Sequence, residues 1–142
     1  MADYPDQPDY QQAVVPSVVR WAPGTEFGNL SWTGNVAAGA TRNVDYAIPN
    51  NGFEYVIDTT FVYTACVGLV PASMSYCNNY ASPSWIVIAI KEEESTIQFN
   101  PFSFQSMSLR YPQAIRYSII NQNNVTRAMQ LYATMYRYLS SA

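Results

Sequence analysis

The sequence predicts an all-β protein that folds as an antiparallel β-sandwich. Short segments with alternating apolar residues follow one another between residues 26 and 139, and turn-forming residues separate them. The clearest alternation is near the C-terminus, where one face of a half-buried strand is apolar and the other is rich in tyrosine. The apolar positions are Met129, Leu131, Ala133 and Met135, and the opposite positions are Gln130, Tyr132, Thr134, Tyr136 and Tyr138. Several of these residues are good helix formers, but the alternation and the preceding asparagine-rich turn favour a strand.

The first 25 residues differ from the rest and are expected to form an extended N-terminal arm. Repeated prolines disfavour both a helix interior and a central strand in this segment. Tyr4, Tyr10 and Trp21 are suited to anchor the arm along a neighbouring subunit, and a disordered tail is the alternative. The chain therefore divides into an arm, residues 1–25, and one sandwich domain, residues 26–142.

Residues 26–66 are expected to supply the first three strands. A strand over residues 26–32 is followed by a strand over residues 41–48, and the turn 49–52 closes the second strand. Asn51 and Gly52 form a pair that signals a hairpin into the third strand. That third strand, residues 53–66, is predicted to alternate without interruption, so that Phe61 and Tyr63 share a face with Tyr55.

Residues 68–84 are expected to form a long irregular connection rich in Pro, Ser, Asn and Tyr. Long connections often carry function, and Tyr76, Asn78, Asn79 and Tyr80 are residue types that recognition loops use. The alternative is a crossover loop that only caps the sandwich.

The remaining strands are predicted from apolar runs of different kinds. Residues 84–90 are apolar on both faces, as in a central strand, and residues 91–94 are expected to form an exposed charged turn. Two further strands are predicted over residues 95–99 and 102–109. Residues 115–121 and 129–138 are then expected to close the fold as a hairpin about the turn 121–124, which gives eight to ten strands in total.

The composition predicts a surface that is partly buried against other chains. The chain is 49% hydrophobic, 15% aromatic and only 12% charged, whereas an ordinary soluble domain has about 25% charged residues. A secreted domain with an uncharged polar surface is the alternative. The net charge of -3 includes a single lysine, Lys91, so direct nucleic-acid binding is not expected.

Composition also argues against a membrane span, a metal site and catalysis. The chain has no signal-peptide pattern at its start and no run of about 18 apolar residues. Cys66 and Cys77 are too few for a disulfide framework and, without histidine, cannot form a zinc site, so they are expected to be reduced core residues. Without histidine the usual general base and nucleophile pairs are missing. Glu54 and Asp58 would lie about 13 Å apart on one strand, too far for glycoside hydrolysis. We therefore expect no cofactor and no enzymatic activity.

The strand count, the Gly-Asn and Asn-Gly turns, the arm and the closing hairpin together resemble a single jelly roll of a virus or phage virion protein. The resemblance covers residues 26–139. It implies a capsid, penton or decoration subunit that is made in the host cytoplasm, located in the virion, and assembled as a trimer or pentamer or docked on other capsid proteins. The candidate contact residues are Tyr4, Tyr10, Trp21, Tyr132, Tyr136 and Tyr138.

A carbohydrate-binding or receptor-binding module on a similar sandwich is the second interpretation. Such a module, for example a spike or fibre head, would recognise a host surface glycan or receptor. Its stacking platforms would be Trp32, Tyr76, Tyr80 and Trp85, since aromatic rings offer large, rigid contact surfaces.

Overall fold

The computed structural model describes residues 26–100 and 108–139, and within these ranges every regular element is a β-strand. The strands in chain order are β1 (Glu26–Val36), β2 (Thr41–Ala47), β3 (Phe53–Thr64), β4 (Leu69–Cys77), β5 (Ile86–Glu94), β6 (Thr96–Phe99), β7 (Ser108–Leu109), β8 (Ala114–Ile120) and β9 (Arg127–Leu139). They form two antiparallel sheets, which confirms the predicted sandwich.

The strand order is consistent with a jelly-roll-like sandwich. The first sheet has the order β1-β9-β3-β6, with β7 also paired to β3, and the second sheet has the order β2-β8-β4-β5. The chain passes from one sheet to the other at most of its connections, so neighbours in a sheet are usually distant in sequence.

Strands β6 and β7 are two pieces of one edge of the first sheet. Thr60 to Tyr63 of β3 pair with β6, and Tyr55 and Val56 pair with β7. Both pieces run antiparallel to β3, on the side of β3 that faces away from β9. They therefore extend one another along β3.

The core lies between the two sheets and is built from the inward positions of both. The predicted apolar face of the last strand is confirmed, because its four apolar residues are at most 2% exposed. Tyr46 and Tyr55 meet across the core edge to face, with ring centroids 6.1 Å apart. Both cysteines are buried and free.

The predicted closing hairpin is wrong. β8 lies in the second sheet and β9 in the first, and residues 121–126 cross between the sheets. Asn121 holds this crossover: its buried amide nitrogen, with two hydrogens to donate, lies within hydrogen-bond distance of the carbonyl oxygens of Val36 at 2.9 Å, Ala37 at 3.2 Å and Val125 at 2.9 Å. The asparagines that indicated a tight turn therefore stabilise a crossover instead.

The predicted hairpin at Asn51 and Gly52 is wrong for the same reason. β2 belongs to the second sheet and β3 to the first, so the turn changes sheets. Gly52 has a φ of 81°, a conformation that favours glycine. The turn residues were thus identified correctly, but the strands they join are not partners.

A bulge in β3 interrupts the predicted alternation. The register with β9 shifts between Ile57 and Thr60, so Tyr55 and Ile57 point inward before the shift and Thr60 and Val62 point inward after it. Phe61 and Tyr63 therefore lie on the outer face, opposite to the prediction.

The stretch predicted as a long loop contains a strand. β4 occupies residues 69–77, and only residues 78–85 connect it to β5. β5 was predicted as a central strand, but it lies at the edge of the second sheet. The charged run at residues 91–94 is its second half and not a turn. Apolar residues on both faces predict burial, yet Ile90 is 75% exposed.

Candidate interaction surfaces

Among the side chains that the structure describes, the outer face of the first sheet carries four aromatic ones, Phe61 and Tyr63 of β3 and Tyr132 and Tyr136 of β9, which we call the aromatic face. Phe61 lies opposite Tyr132 in the β3–β9 register. The rings of Phe61 and Tyr63 are nearly parallel, with an interplanar angle of 12° and centroids 6.0 Å apart. Tyr63 is 42% exposed and the other three are half-buried.

The bulge in β3 brings Phe61 and Tyr63 onto the aromatic face, and Thr134 of β9 holds the bulge. The backbone N–H of Thr59 donates to the hydroxyl of Thr134 at 3.2 Å, and that hydroxyl lies 3.3 Å from the carbonyl oxygen of Thr59. The extra residue turns Phe61 and Tyr63 outward. Sequence reasoning missed these two residues, because nothing in a continuous apolar-polar alternation marks an inserted residue.

Two rows of side chains that cross the aromatic face contain no charged residue. One row runs Ser31, Tyr132, Phe61 and Gln98, and the next runs Thr33, Gln130, Tyr63 and Thr96. An open depression of about 260 Å³ lies beside the second row, and Thr33, Tyr63 and Gln130 are among its lining residues.

The outer face of the second sheet is partly covered by residues 78–85, which we call the cover segment. Arg116 donates to the Asp45 carboxylate through Nε at 2.7 Å and Nη2 at 2.8 Å, and the Tyr80 hydroxyl donates to the same carboxylate at 3.1 Å. The hydrogen bond to Asp45 raises the pKa of the Arg116 guanidinium. The guanidinium also lies 4.3 Å from the centroid of the Trp85 ring.

Beneath this segment lies a small apolar cluster of Ala47, Cys77 and Ala114, against which Tyr80 and Trp85 pack. Burial raises the pKa of the Cys77 thiol, because the thiolate would be poorly solvated there. The segment therefore acts as a second layer over one end of the sheet.

The predicted recognition residues are separated by the structure. Tyr76 lies within β4 and packs against the main core. Asn78 and Asn79 are exposed; the Asn78 side chain accepts a hydrogen bond from Gln113 Nε2 at 3.3 Å, and the Asn79 side chain accepts the backbone N–H of Ala81 at 3.0 Å. Only Asn78, Asn79 and Tyr80 belong to the cover segment. Of the two tryptophans proposed as stacking platforms, Trp32 is a core residue at 6% exposure and Trp85 is half-buried.

The predicted contact residues are also divided. Tyr132 and Tyr136 lie on the aromatic face, and Tyr138 lies opposite Glu54 in the strand register. Tyr4, Tyr10 and Trp21 lie outside the described residues.

β5 presents an apolar strand at the edge of the second sheet. Ile86, Val87 and Ile90 are 46%, 53% and 75% exposed, whereas Ile88 and Ala89 pack partly against the core. The second half of the strand carries Lys91 and three glutamates. Exposed apolar edges are templates for pairing with another strand.

The part of the chain that the structure describes contains no group of three or more His, Cys, Asp or Glu side chains placed to hold a metal ion. Nor does a helix long and apolar enough to cross a membrane occur there.

Comparison with known proteins yields similarity in solved structures only. No family model and no curated protein matches the sequence. A chain of the Bacillus endospore appendages, which form disulfide-linked pili, is 10% identical, with a TM-score of 0.45 over 89% of this chain and 98% of that one. The Yersinia pseudotuberculosis-derived mitogen is 10% identical, with a TM-score of 0.32 over 73% and 89% of the two chains. VP2 of the infectious bursal disease virus subviral particle is 8% identical, with a TM-score of 0.35 over 97% of this chain and 46% of that one. At these scores the similarities do not decide between functions.

Proposed function

We propose that this protein is a structural subunit of a virion, a capsid, penton or decoration protein that assembles with copies of itself or docks on other capsid proteins. The observation that carries the proposal is the aromatic face. A sheet face turned permanently to water would normally carry Lys and Glu between its apolar residues. Here two rows that cross four strands carry hydroxyl, amide and aromatic side chains only.

The residue types on this face are those of a permanent protein interface. Such interfaces are enriched in Tyr and Phe and depleted in Lys and Glu. Tyrosine contributes a large apolar ring and a hydroxyl that can hydrogen-bond across the contact. The 12% charged content of the whole chain agrees with burial of surface in an assembly.

The test is the absolute mass of the full-length protein, measured by size-exclusion chromatography with light scattering over a range of concentrations. We expect a stable oligomer, with Tyr63→Lys reducing its mass because a charge would be buried in the interface. Val125→Lys is the matched control, since Val125 is 47% exposed on the 121–126 crossover. A wild-type protein that stays monomeric at every concentration contradicts self-assembly.

The arm, residues 1–25, is proposed to contribute to the same assembly through Tyr4, Tyr10 and Trp21. Deletion of residues 1–20 should lower the mass of the assembly and leave the far-UV circular dichroism of the sandwich unchanged. A truncated protein that assembles like the full chain would remove the arm from the proposal.

Carbohydrate recognition is the second candidate, and the depression beside Tyr63 favours it. The exposed ring of Tyr63 offers a stacking surface, while Thr33 and Gln130 supply hydrogen-bonding groups. On a glycan array, Tyr63→Ala should abolish binding and Tyr111→Ala should not, since Tyr111 is 55% exposed but lies outside the depression. Binding to no glycan, or equal binding by both variants, would exclude this site.

Neither candidate assigns a chemical reaction to the chain. The absence of histidine supports this, and the buried Asp45 carboxylate is engaged by Arg116 and Tyr80.

A further inference from the structure

We propose that segment 3–10 of the N-terminal arm docks on one end of the sandwich, on a surface formed by the cover segment and the turn at residues 110–113. This surface, which we call the end surface, contains Asn78, Trp85, Arg110 and Tyr111. The inference rests on the role that the proposed function gives to the arm, and it names the surface that the arm binds. It can fail while the contact through the aromatic face stands.

Hydrogen bonds join the two parts of the end surface. The turn begins at Arg110, whose carbonyl oxygen accepts the backbone N–H of Gln113 at 2.8 Å. The backbone N–H of Tyr80 in the cover segment donates to the carbonyl oxygen of Pro112 at 2.9 Å, and Gln113 Nε2 donates to Asn78 Oδ1 at 3.3 Å. The turn and the cover segment therefore present one continuous surface.

The end surface combines aromatic rings with a positive charge. Tyr111 is 55% exposed and Trp85 is half-buried. Arg110 is exposed, and no described residue forms an ion pair with it, whereas Arg116 is paired with the buried Asp45 carboxylate. The other acidic residues of the described strands belong to the first sheet or to the second half of β5, which pairs with the beginning of β4 and so lies away from the cover segment. The charge of Arg110 is therefore left for an acidic partner.

Segment 3–10 has the complementary chemistry. It contains Asp3, Asp6 and Asp9, and no lysine or arginine occurs before Arg20. Its prolines favour the polyproline II conformation, which has about three residues per turn. Residues three apart then lie on the same side, so the aspartates form an acidic ridge and the prolines form a second ridge. The third ridge holds Tyr4, Gln7 and Tyr10.

Each ridge finds a suitable group on the end surface. Aromatic surfaces bind polyproline II segments, and arginine binds acidic motifs. Tyr111 and Trp85 can therefore receive the proline ridge while Arg110 pairs with the acidic ridge. The side-chain nitrogen of Asn78, whose oxygen accepts Gln113, can donate to carbonyl groups that polyproline II leaves without an internal partner.

The chain enters the sandwich at the end that carries this surface. Glu26 lies opposite Arg137 near the end of β9, where β3 begins. β3 follows the end of β2, and there Ala47 lies opposite Ala114, which directly follows the turn. From residue 10 to residue 26 an extended chain spans roughly 50 Å at about 3.1 Å per residue, whereas four strands span less than about 20 Å and two sheets lie about 10 Å apart. The segment can therefore reach the end surface of its own sandwich or of an adjoining copy.

Carbodiimide cross-linking of full-length Arg110→Lys tests the docking. The reagent joins a carboxylate to a neighbouring amine as an amide and takes up the water that is lost. Trypsin then releases residues 1–20, in which Asp3, Asp6 and Asp9 are the only acidic side chains, and mass spectrometry identifies their partner. The matched control is Val125→Lys, because Val125 is 47% exposed on the crossover that follows the far end of β8. We expect about ten times more cross-linking at position 110 than at position 125, a preference of about 1.4 kcal/mol.

A second variant distinguishes docking from chance collisions of a tethered arm. Tyr111→Ala, added to Arg110→Lys, should lower the cross-link yield at position 110 by about threefold or more, because the proline ridge loses an aromatic ring. Val67→Ala, at a residue that is 72% exposed, is the control and should leave the yield unchanged. Both variants should keep the melting temperature of Arg110→Lys, since both positions are exposed. Equal yields at positions 110 and 125, or a yield that Tyr111→Ala does not change, would overturn the docking.

A mixture of isotope-labelled and unlabelled protein shows which copy supplies the arm. Cross-links between labelled and unlabelled chains would support docking on a neighbouring copy, and cross-links within one chain would support docking on the same sandwich. If the wild type associates but no cross-link to residues 1–20 forms at position 110, the docking is overturned and the proposed function stands. If the cross-link forms in a protein that is monomeric by light scattering, the docking stands and self-assembly falls.

Discussion

Thr60 and Tyr117 form a hydrogen bond inside the core, with their hydroxyl oxygens 2.7 Å apart. Thr60 belongs to β3 and Tyr117 to β8, so the bond joins the two sheets. The bulge in β3 is what turns Thr60 inward. The buried Thr60 hydroxyl has a hydrogen-bond partner at this core position because the Tyr117 hydroxyl faces it.

We predict that Thr60→Val destabilises the protein by about 1–3 kcal/mol, because it leaves the buried Tyr117 hydroxyl without this partner. The double variant Thr60→Val with Tyr117→Phe should cost less than the sum of the single variants, since neither hydroxyl is then left alone. Urea unfolding of the three variants measures the coupling. Strict additivity would show that the hydrogen bond contributes nothing.

Tyr117 also predicts how stability depends on pH. Burial raises the pKa of its phenol above the ordinary value of 10.0. The folded protein therefore keeps a proton that the unfolded chain releases above about pH 10, so stability is unaffected below that pH and falls above it. Between about pH 8 and pH 11, wild type should lose more unfolding free energy than Tyr117→Phe, by up to about 1.4 kcal/mol per pH unit above pH 10. Equal losses would contradict this assignment.

Asn121 holds the β8–β9 crossover through a side chain that is fully buried. Its amide nitrogen donates to the carbonyl groups around it, and its amide oxygen accepts the backbone N–H of Asn123 at 2.8 Å. We predict that Asn121→Ala lowers stability by about 2–4 kcal/mol, because several backbone groups lose their partner. The exposed Asn124 is the control, and Asn124→Ala should change stability by less than about 0.5 kcal/mol. Similar urea midpoints for the two variants would show that the crossover does not depend on Asn121.

At the scale of elements, the cover segment shields Cys77 from solvent. Trp85 packs against the small cluster that contains Cys77 and contacts the Arg116 guanidinium. We predict that Trp85→Ala increases the rate at which Cys77 reacts with a thiol reagent by about tenfold or more, since a loss of about 1.4 kcal/mol from the closed state raises the open population tenfold. Mass spectrometry distinguishes the two thiols, and Cys66 in the main core is the internal control. An unchanged Cys77 rate would show that the segment is not what protects it.

The sequence was sufficient to predict the strands whose two faces differ chemically. Met129, Leu131 and Met135 alternate with polar residues, and burial of one face follows directly from that pattern. Pairing was not predictable in the same way. The turns at residues 49–52 and 121–126 have hairpin-like sequences, but a turn motif does not specify whether the next strand returns to the same sheet.

The two interaction surfaces were the least predictable part. Phe61 and Tyr63 reach the outer face only through the bulge that Thr134 holds, and this contact comes from 75 residues away in the chain. The position of β5 in its sheet was predicted wrongly, because a central strand that is buried on both faces and an apolar strand at an exposed edge have the same sequence pattern. Its exposure is visible only once the strand order is known.

At the scale of the whole molecule, the described surface combines an aromatic face with two uncharged rows on the first sheet and an apolar edge on the second. The two surfaces belong to different sheets, so they can act at the same time. A subunit that uses both would make more than one kind of contact with its neighbours, as a shell or a larger assembly requires.

The most direct test of self-assembly is the absolute mass of the full-length protein by size-exclusion chromatography with light scattering, at several concentrations and salt levels. We predict a stable oligomer whose mass changes little with salt, because its contacts are aromatic and apolar and not charged. A protein that remains a monomer under all of these conditions would contradict self-assembly.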